Sequence, residues 1–195
     1  MPLGAFKAAL MGTAGASATG DVVLLSSQPA SSSASITFSS DITSTYGEYI
    51  FGFYNIHPAT DEAELTFQVN ATDTTSYNEN ITSTAFWAKH GEDDSTSGLT
   101  YSTSHDQQDS DAAYQVIGFD QPNQNDGAYS GRMHLFNPAS TTYVKHFYSR
   151  MEVSAEARDE FVAGYINEAT AIDDIQFKMS AGNMDAGVIK MWGVL

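Results

Sequence analysis

From residue 21 onward, apolar side chains recur at every second position, the period of a β-strand with one buried face. Ile36 and Phe38 alternate with Ser35 and Thr37, and Leu65, Phe67 and Val69 with Thr66 and Gln68. Ile175, Phe177 and Met179 alternate in the same way with Gln176 and Lys178. Each of these runs predicts one face in a core and one in water. Two further runs, residues 49–54 and 143–148, are apolar on both faces and predict central strands. Strands are expected near residues 21–27, 34–39, 48–56, 63–69, 82–89, 113–119, 128–136, 141–151, 161–167, 174–179 and 187–193. Eight to eleven short strands divided by turn residues predict an all-β chain folded as one antiparallel β-sandwich. Helix signals are confined to residues 5–11 and to residues 154–160, where Ser154 would be the N-cap. Polar connections are expected at 71–80, 91–98, 102–111 and 120–127, the loops in which a sandwich usually carries its binding groups.

With 195 residues, 42% of them hydrophobic, the chain can bury one sizeable core. The expected organisation is an N-terminal arm over residues 1–20 followed by a sandwich over 21–195. The arm is rich in Gly, Ala and Ser and has too little apolar surface to offset the entropy of ordering itself. It is therefore expected to be held by a neighbouring subunit or a larger assembly, with Phe6, Leu10 and Met11 as its anchors. Its apolar stretch, residues 8–11, is too short for the hydrophobic region of a signal peptide, and no run approaches the length of a membrane span.

Charge removes two classes of partner. There are 24 acidic and 8 basic residues and a formal net charge of −16. Nucleic-acid binding needs Lys and Arg to displace counterions from phosphates, so no nucleic-acid partner is expected, and no anionic membrane. The absence of Cys excludes disulfides, thiolate metal sites and thiol nucleophiles.

Chemistry-bearing patterns are sparse. The acids near strands are Glu48, Glu64, Asp120 and Glu168; most others cluster in polar loops, where they are expected to be solvated. A glycan hydrolase would need two carboxylates facing across a cleft. The Asp/Asn stretches 106–111 and 120–126 offer oxygens for calcium, yet neither has the spacing of a calcium loop with its distal Glu. His57, His90, His105, His134 and His146 fall in none of the usual zinc spacings, and His134 and His146 sit in predicted strands. Ser104, His105 and Asp106 have the letters of a catalytic triad, but triads are assembled from distant residues. No nucleophile elbow or phosphate-cradling Gly loop occurs. Neither enzyme activity, nor a cofactor, nor a metal is expected. Tyr46, Tyr77, Tyr101 and Tyr129 border loops or strand ends, and of these Tyr77, Tyr101 and Tyr129 are candidates for stacking on sugar rings.

One combination of segments goes further: residues 21–27, 35–40, 46–58 with its tyrosines and phenylalanines, 141–145, 175–177, 180–183 and the closing Gly187-Val-Ile-Lys-Met-Trp-Gly193. Together, over nearly the whole chain, they resemble virion structural proteins of tailed bacteriophages, especially marine ones. The resemblance implies a jelly-roll or lectin-like sandwich and a role as a capsid decoration (cement) protein, head fibre, or tail-fibre or receptor-binding module. It brings no catalytic residues. A charge of −16 disfavours the shell surface facing packaged DNA and suits the outside of the particle. The expected function is a non-enzymatic decoration protein that binds the major capsid protein, or other virion proteins, through its arm. Homo-oligomers, such as trimers at quasi-threefold positions, fit this reading. The alternative is a tail-fibre module recognising a host-surface glycan.

Overall fold

The computed structural model describes residues 21–109, 112–154 and 157–195. Among them are twelve strands and no helix: β1 (Val22–Pro29), β2 (Ile36–Phe38), β3 (Glu48–Pro58), β4 (Ala63–Ala71), β5 (Ile81–His90), β6 (Ser97–Tyr101), β7 (Gln115–Gln121), β8 (Tyr129–Phe136), β9 (Lys145–Val153), β10 (Ala157–Ile166), β11 (Ile172–Met179) and β12 (Met184–Val194). They form an eight-stranded sheet in the order β1-β12-β3-β8-β9-β10-β5-β6 and a four-stranded sheet in the order β2-β11-β4-β7. Every pairing is antiparallel. The two sheets pack face to face as a β-sandwich, and the expected all-β sandwich is therefore present.

The core follows from the period-two pattern. Inward residues of β3 (Tyr49, Phe51, Phe53, Ile56) and β12 (Ile189, Met191) meet Phe67 of β4 and Ile175 and Phe177 of β11. Phe177 is the centre of the aromatic packing, with ring centroids 5.1–6.4 Å from those of Phe38, Phe51, Phe53 and Phe67. Two of these pairs are edge-on, the arrangement aromatic quadrupoles favour, and two are tilted. Both runs that are apolar on two faces do lie centrally, as β3 and as the start of β9.

Three expectations change, and a fourth falls outside the described residues. Residues 97–101, of which 97–98 were expected to close a loop and 99–101 were assigned to no element, form β6; all five are exposed because the strand pairs only with β5 at the sheet edge, so no buried face marks it in the sequence. The helix expected at 154–160 does not form over the described residues of that stretch. Ser154 instead binds Gln121, and residues from Ala157 pair with β9 and β5. Strand pairing on both sides outweighs a weak local helix signal. The polar side of β4 is not wet: Thr66, Gln68 and Asn70 are buried. The Gln68 amide donates to the carbonyls of Glu79 (2.9 Å), Ala112 (3.4 Å) and Ala113 (3.1 Å), so segments before β5 and β7 cover the small sheet through polar bonds. The arm anchors Phe6, Leu10 and Met11, with the helix signal at 5–11, lie outside the described residues.

Candidate functional site

Two places on the sandwich gather unusual chemistry, and the first is the outer face of the eight-stranded sheet. Strand alternation turns one set of side chains away from the core, and here that set mixes aromatic and aliphatic residues with cations. One cross-strand row runs Leu24, Trp192, Ile50, His134, Tyr148. The next runs Lys190, Gly52, Arg132, Arg150, Phe161, Phe86, Tyr101. Leu24 is 51% exposed and Tyr101 52%. Gly52 makes room in the centre: a Cβ there would stand 2.8 Å from the Trp192 ring, so only Gly lets that ring lie down over β3. Beside it is a shallow depression of about 240 Å³ lined by Val22, Ile50, Arg132 and Trp192.

The charges on this face are ordered too. Arg150 is clamped by both oxygens of Asp159, at 2.8 and 2.6 Å, and lies over the Phe161 ring. Arg132 stands directly opposite Arg150, a like-charge pairing that destabilises a sheet. Among the described residues Arg132 has no ion-pair partner. Lys190 sits over Tyr54. A chain of net charge −16 thus places three of its eight cations in one row beside an apolar depression. His134 completes the face, stacked on Tyr148 at 4.5 Å with Nδ1 2.5 Å from the Glu48 carboxylate. Such a surface suits the central part of a protein contact, where aromatic residues and Arg are enriched.

The second place is a histidine–carboxylate cluster at the opposite end of the large sheet. His105, in the connection from β6 to β7, stacks on Phe119 with centroids 4.1 Å apart and planes 7° apart. Its Nδ1 is 2.6 Å from Ser102 Oγ, and its Nε2 is 2.8 Å from Glu64 Oε1 on β4. Asp120 of β7 joins them: one donor atom each from Glu64, His105 and Asp120 lies within 4.8 Å of the others. The sequence singled out Glu64 and Asp120 as acids near strands, and His105 as one of five histidines outside the usual zinc spacings and as part of Ser104-His105-Asp106. The actual partners are Ser102, Glu64 and Asp120, brought from three elements, while Asp106 accepts a hydrogen bond from Tyr101 at 2.6 Å. Ser102 is buried, so its hydroxyl orients the imidazole and presents no nucleophile to a substrate. Glu64 and Asp120 are not among the residues that line the depressions of about 240, 450 and 340 Å³.

The remaining sequence candidates scatter. Tyr129 is fully buried; its hydroxyl donates to the Ala63 carbonyl at 2.7 Å and accepts the Gln121 N–H at 3.0 Å, and burial raises its pKa. No ring face remains for a sugar, which removes Tyr129 as a stacking group. It read as a rim residue because Asp126 and Gly127 precede it, but it begins a strand with an inward side chain. Tyr77 is half-buried near Asp174, on the side of the small sheet, and its hydroxyl is raised chiefly by burial. Tyr101 lies on the outer face of the large sheet, so the three tyrosines build no common site. Glu168 caps its own turn by accepting the Thr170 N–H. Asp126 of the 120–127 stretch lines a polar cavity of about 450 Å³ with Asn55, His57 and Asn125. There His57 Nε2 is 3.0 Å from the Gln124 carbonyl oxygen.

No known protein-family model matches the chain, and no curated protein is significantly similar to it.

Proposed function

We propose that the chain is a non-enzymatic structural protein of a bacteriophage virion, a jelly-roll decoration module on the outside of the particle. The strand order carries this reading. Setting aside the hairpins β5–β6 and β9–β10, which extend one sheet, eight strands remain as β1-β12-β3-β8 over β2-β11-β4-β7. In this set β1 pairs with β12, β2 with β11, β3 with β8 and β4 with β7. That nesting supports reading the sandwich as one long hairpin rolled into two sheets, a jelly roll of the kind that recurs in viral capsid domains. Jelly rolls also serve as lectins and cupins, so the surface must choose among them.

The surface favours a docking module. The aromatic and aliphatic rows around Trp192, beside Arg132 with no ion-pair partner among the described residues, form a contact surface for an acidic, partly apolar partner such as a neighbouring virion protein. The net charge of −16 keeps the module off DNA and disposes it to the outside. The arm, through Phe6, Leu10 and Met11, remains part of the proposal as a second attachment to the major capsid protein. A second reading, a tail-fibre module for a host-surface glycan, is favoured by the rings of Trp192, Tyr54, Tyr148 and Tyr101, which also suit stacking on sugars.

The test adds purified full chain to particles lacking it and measures co-sedimentation. Wild-type protein is expected to saturate, with Trp192→Ala and Arg132→Glu lowering affinity at least about tenfold and Tyr77→Ala, near the small sheet, leaving it unchanged. Undiminished binding of both outer-face variants contradicts the docking face; no particle binding together with saturable glycan binding moves the assignment to the second reading.

A further inference from the structure

We propose that Glu64, His105 and Asp120 form a binding site for a divalent transition-metal cation of the zinc type, which staples the β6–β7 connection to the small sheet. The geometry comes first. Donor atoms that all lie within 4.8 Å of one another leave a point no more than about 2.8 Å from each. Zn–N and Zn–O bonds are about 2.0–2.2 Å, so side-chain rotations of under about 1 Å close the site.

The imidazole is already set for ligation. Phe119 fixes the plane of the ring, and Ser102 holds Nδ1 at 2.6 Å. Ligating histidines characteristically have the second ring nitrogen held in this way, which fixes the tautomer and leaves the other nitrogen free for the metal. Without a cation Nε2–H donates to Glu64 Oε1 and Nδ1 accepts from the Ser102 hydroxyl; a cation at Nε2 takes the place of that proton, which the ring then carries on Nδ1 and donates to Ser102 Oγ.

Charge and donor type agree. Two carboxylates and a neutral imidazole balance one divalent ion, and among the described residues neither Glu64 nor Asp120 pairs with a Lys or Arg. A nitrogen with two oxygens suits zinc-like ions, whereas calcium and magnesium prefer all-oxygen sites. Asp120 is exposed, which supplies an entry path and leaves further coordination positions to water. The three ligands come from β4, β7 and the segment leaving the far edge of the large sheet. A bound ion therefore ties the β6–β7 connection to β4 and β7 of the small sheet.

The experiment is thermal unfolding and calorimetric titration of the full chain, stripped with chelator and then given ZnCl2 or CaCl2. Zn2+ is expected to bind with one equivalent at this site and to raise Tm by on the order of 5 °C at saturation, while Ca2+ leaves Tm in place. Asp120→Asn is the decisive variant. Asp120 has φ of 45°, a conformation that Asn also tolerates, so the fold is retained. It is expected to weaken Zn2+ binding at least about tenfold, as is His105→Gln, whereas Glu48→Gln at the other His–Glu pair leaves binding unchanged. Absence of a Zn2+-dependent shift, or a shift that survives Asp120→Asn, overturns the proposal.

Discussion

Glu160 makes the stability of this protein fall as pH rises through neutrality. Its side chain points from β10 into the sandwich and is fully buried. One carboxylate oxygen accepts the Phe119 N–H at 2.7 Å; the other lies 2.8 Å from Arg158 Nε in close charge contact, without hydrogen-bond alignment. Burial outweighs these two favourable partners and pushes the carboxyl from its ordinary 4.5 up to about 8. Because the folded value exceeds the unfolded one, the unfolded chain releases this proton near pH 4.5 while the folded chain holds it. The stabilisation is therefore complete below about pH 4.5, declines as pH rises, and is gone above about pH 8. At 1.36 kcal/mol per pKa unit, and allowing for water reaching the partly exposed Arg158, the loss is about 3–5 kcal/mol. For a chain of this length that corresponds to a fall in Tm on the order of 10 °C. Glu79, Glu152 and Asp174, also raised chiefly by burial, add to the trend. The assay is thermal unfolding by circular dichroism between pH 4.5 and 8.5 at fixed salt, for wild type and Glu160→Gln. Gln keeps the acceptor for Phe119 and removes the titration, so the variant is expected to lose most of the slope. An identical pH dependence in both proteins refutes the assignment to Glu160.

Other perturbations probe the rest of the framework. Phe177→Ala empties the centre of the ring cluster and is expected to cost about 3–5 kcal/mol in denaturant unfolding; under about 1 kcal/mol would mean the rings do not organise the core. Gln68→Leu leaves loop carbonyls without donors and is expected to cost about 2–3 kcal/mol, with faster hydrogen exchange around residues 112–113; unchanged exchange would show that the loop is held by other bonds. Gly52→Ala is expected to tilt Trp192 off β3, shifting tryptophan emission and weakening particle binding while the far-ultraviolet spectrum stays constant; an unshifted emission would show that the ring does not depend on Gly52.

Much of the sandwich was legible in the sequence, because a residue's side of a strand is written in alternation. Ile36, Phe38, Leu65, Phe67, Val69, Ile175 and Phe177 are all buried as that pattern required. The failures have physical causes. Strand β6 pairs on one edge only and shows no alternation. Gln68 looks solvated until a loop folds over it, and that cover comes from residues 11 to 45 positions away, while the Thr66 hydroxyl donates to the Lys178 carbonyl of β11. The outer face of the large sheet was hidden for a related reason: Ile50, Tyr54 and Tyr148 read as core for a central strand, and only the sheet order reveals that their side has no second layer. Of the histidine cluster, Glu64 and Asp120 stood out as acids near strands. Their convergence on His105 depends on the long return of the chain from β6 to β7, which no local spacing encodes.

Cryo-electron microscopy of intact particles tests the central claim most directly. The account predicts density for the sandwich repeated over the icosahedral shell, on its outer surface, with Trp192 and Arg132 of the large sheet turned toward a neighbouring protein. Density confined to the tail, or a sandwich on the shell with that face turned to solvent, contradicts it.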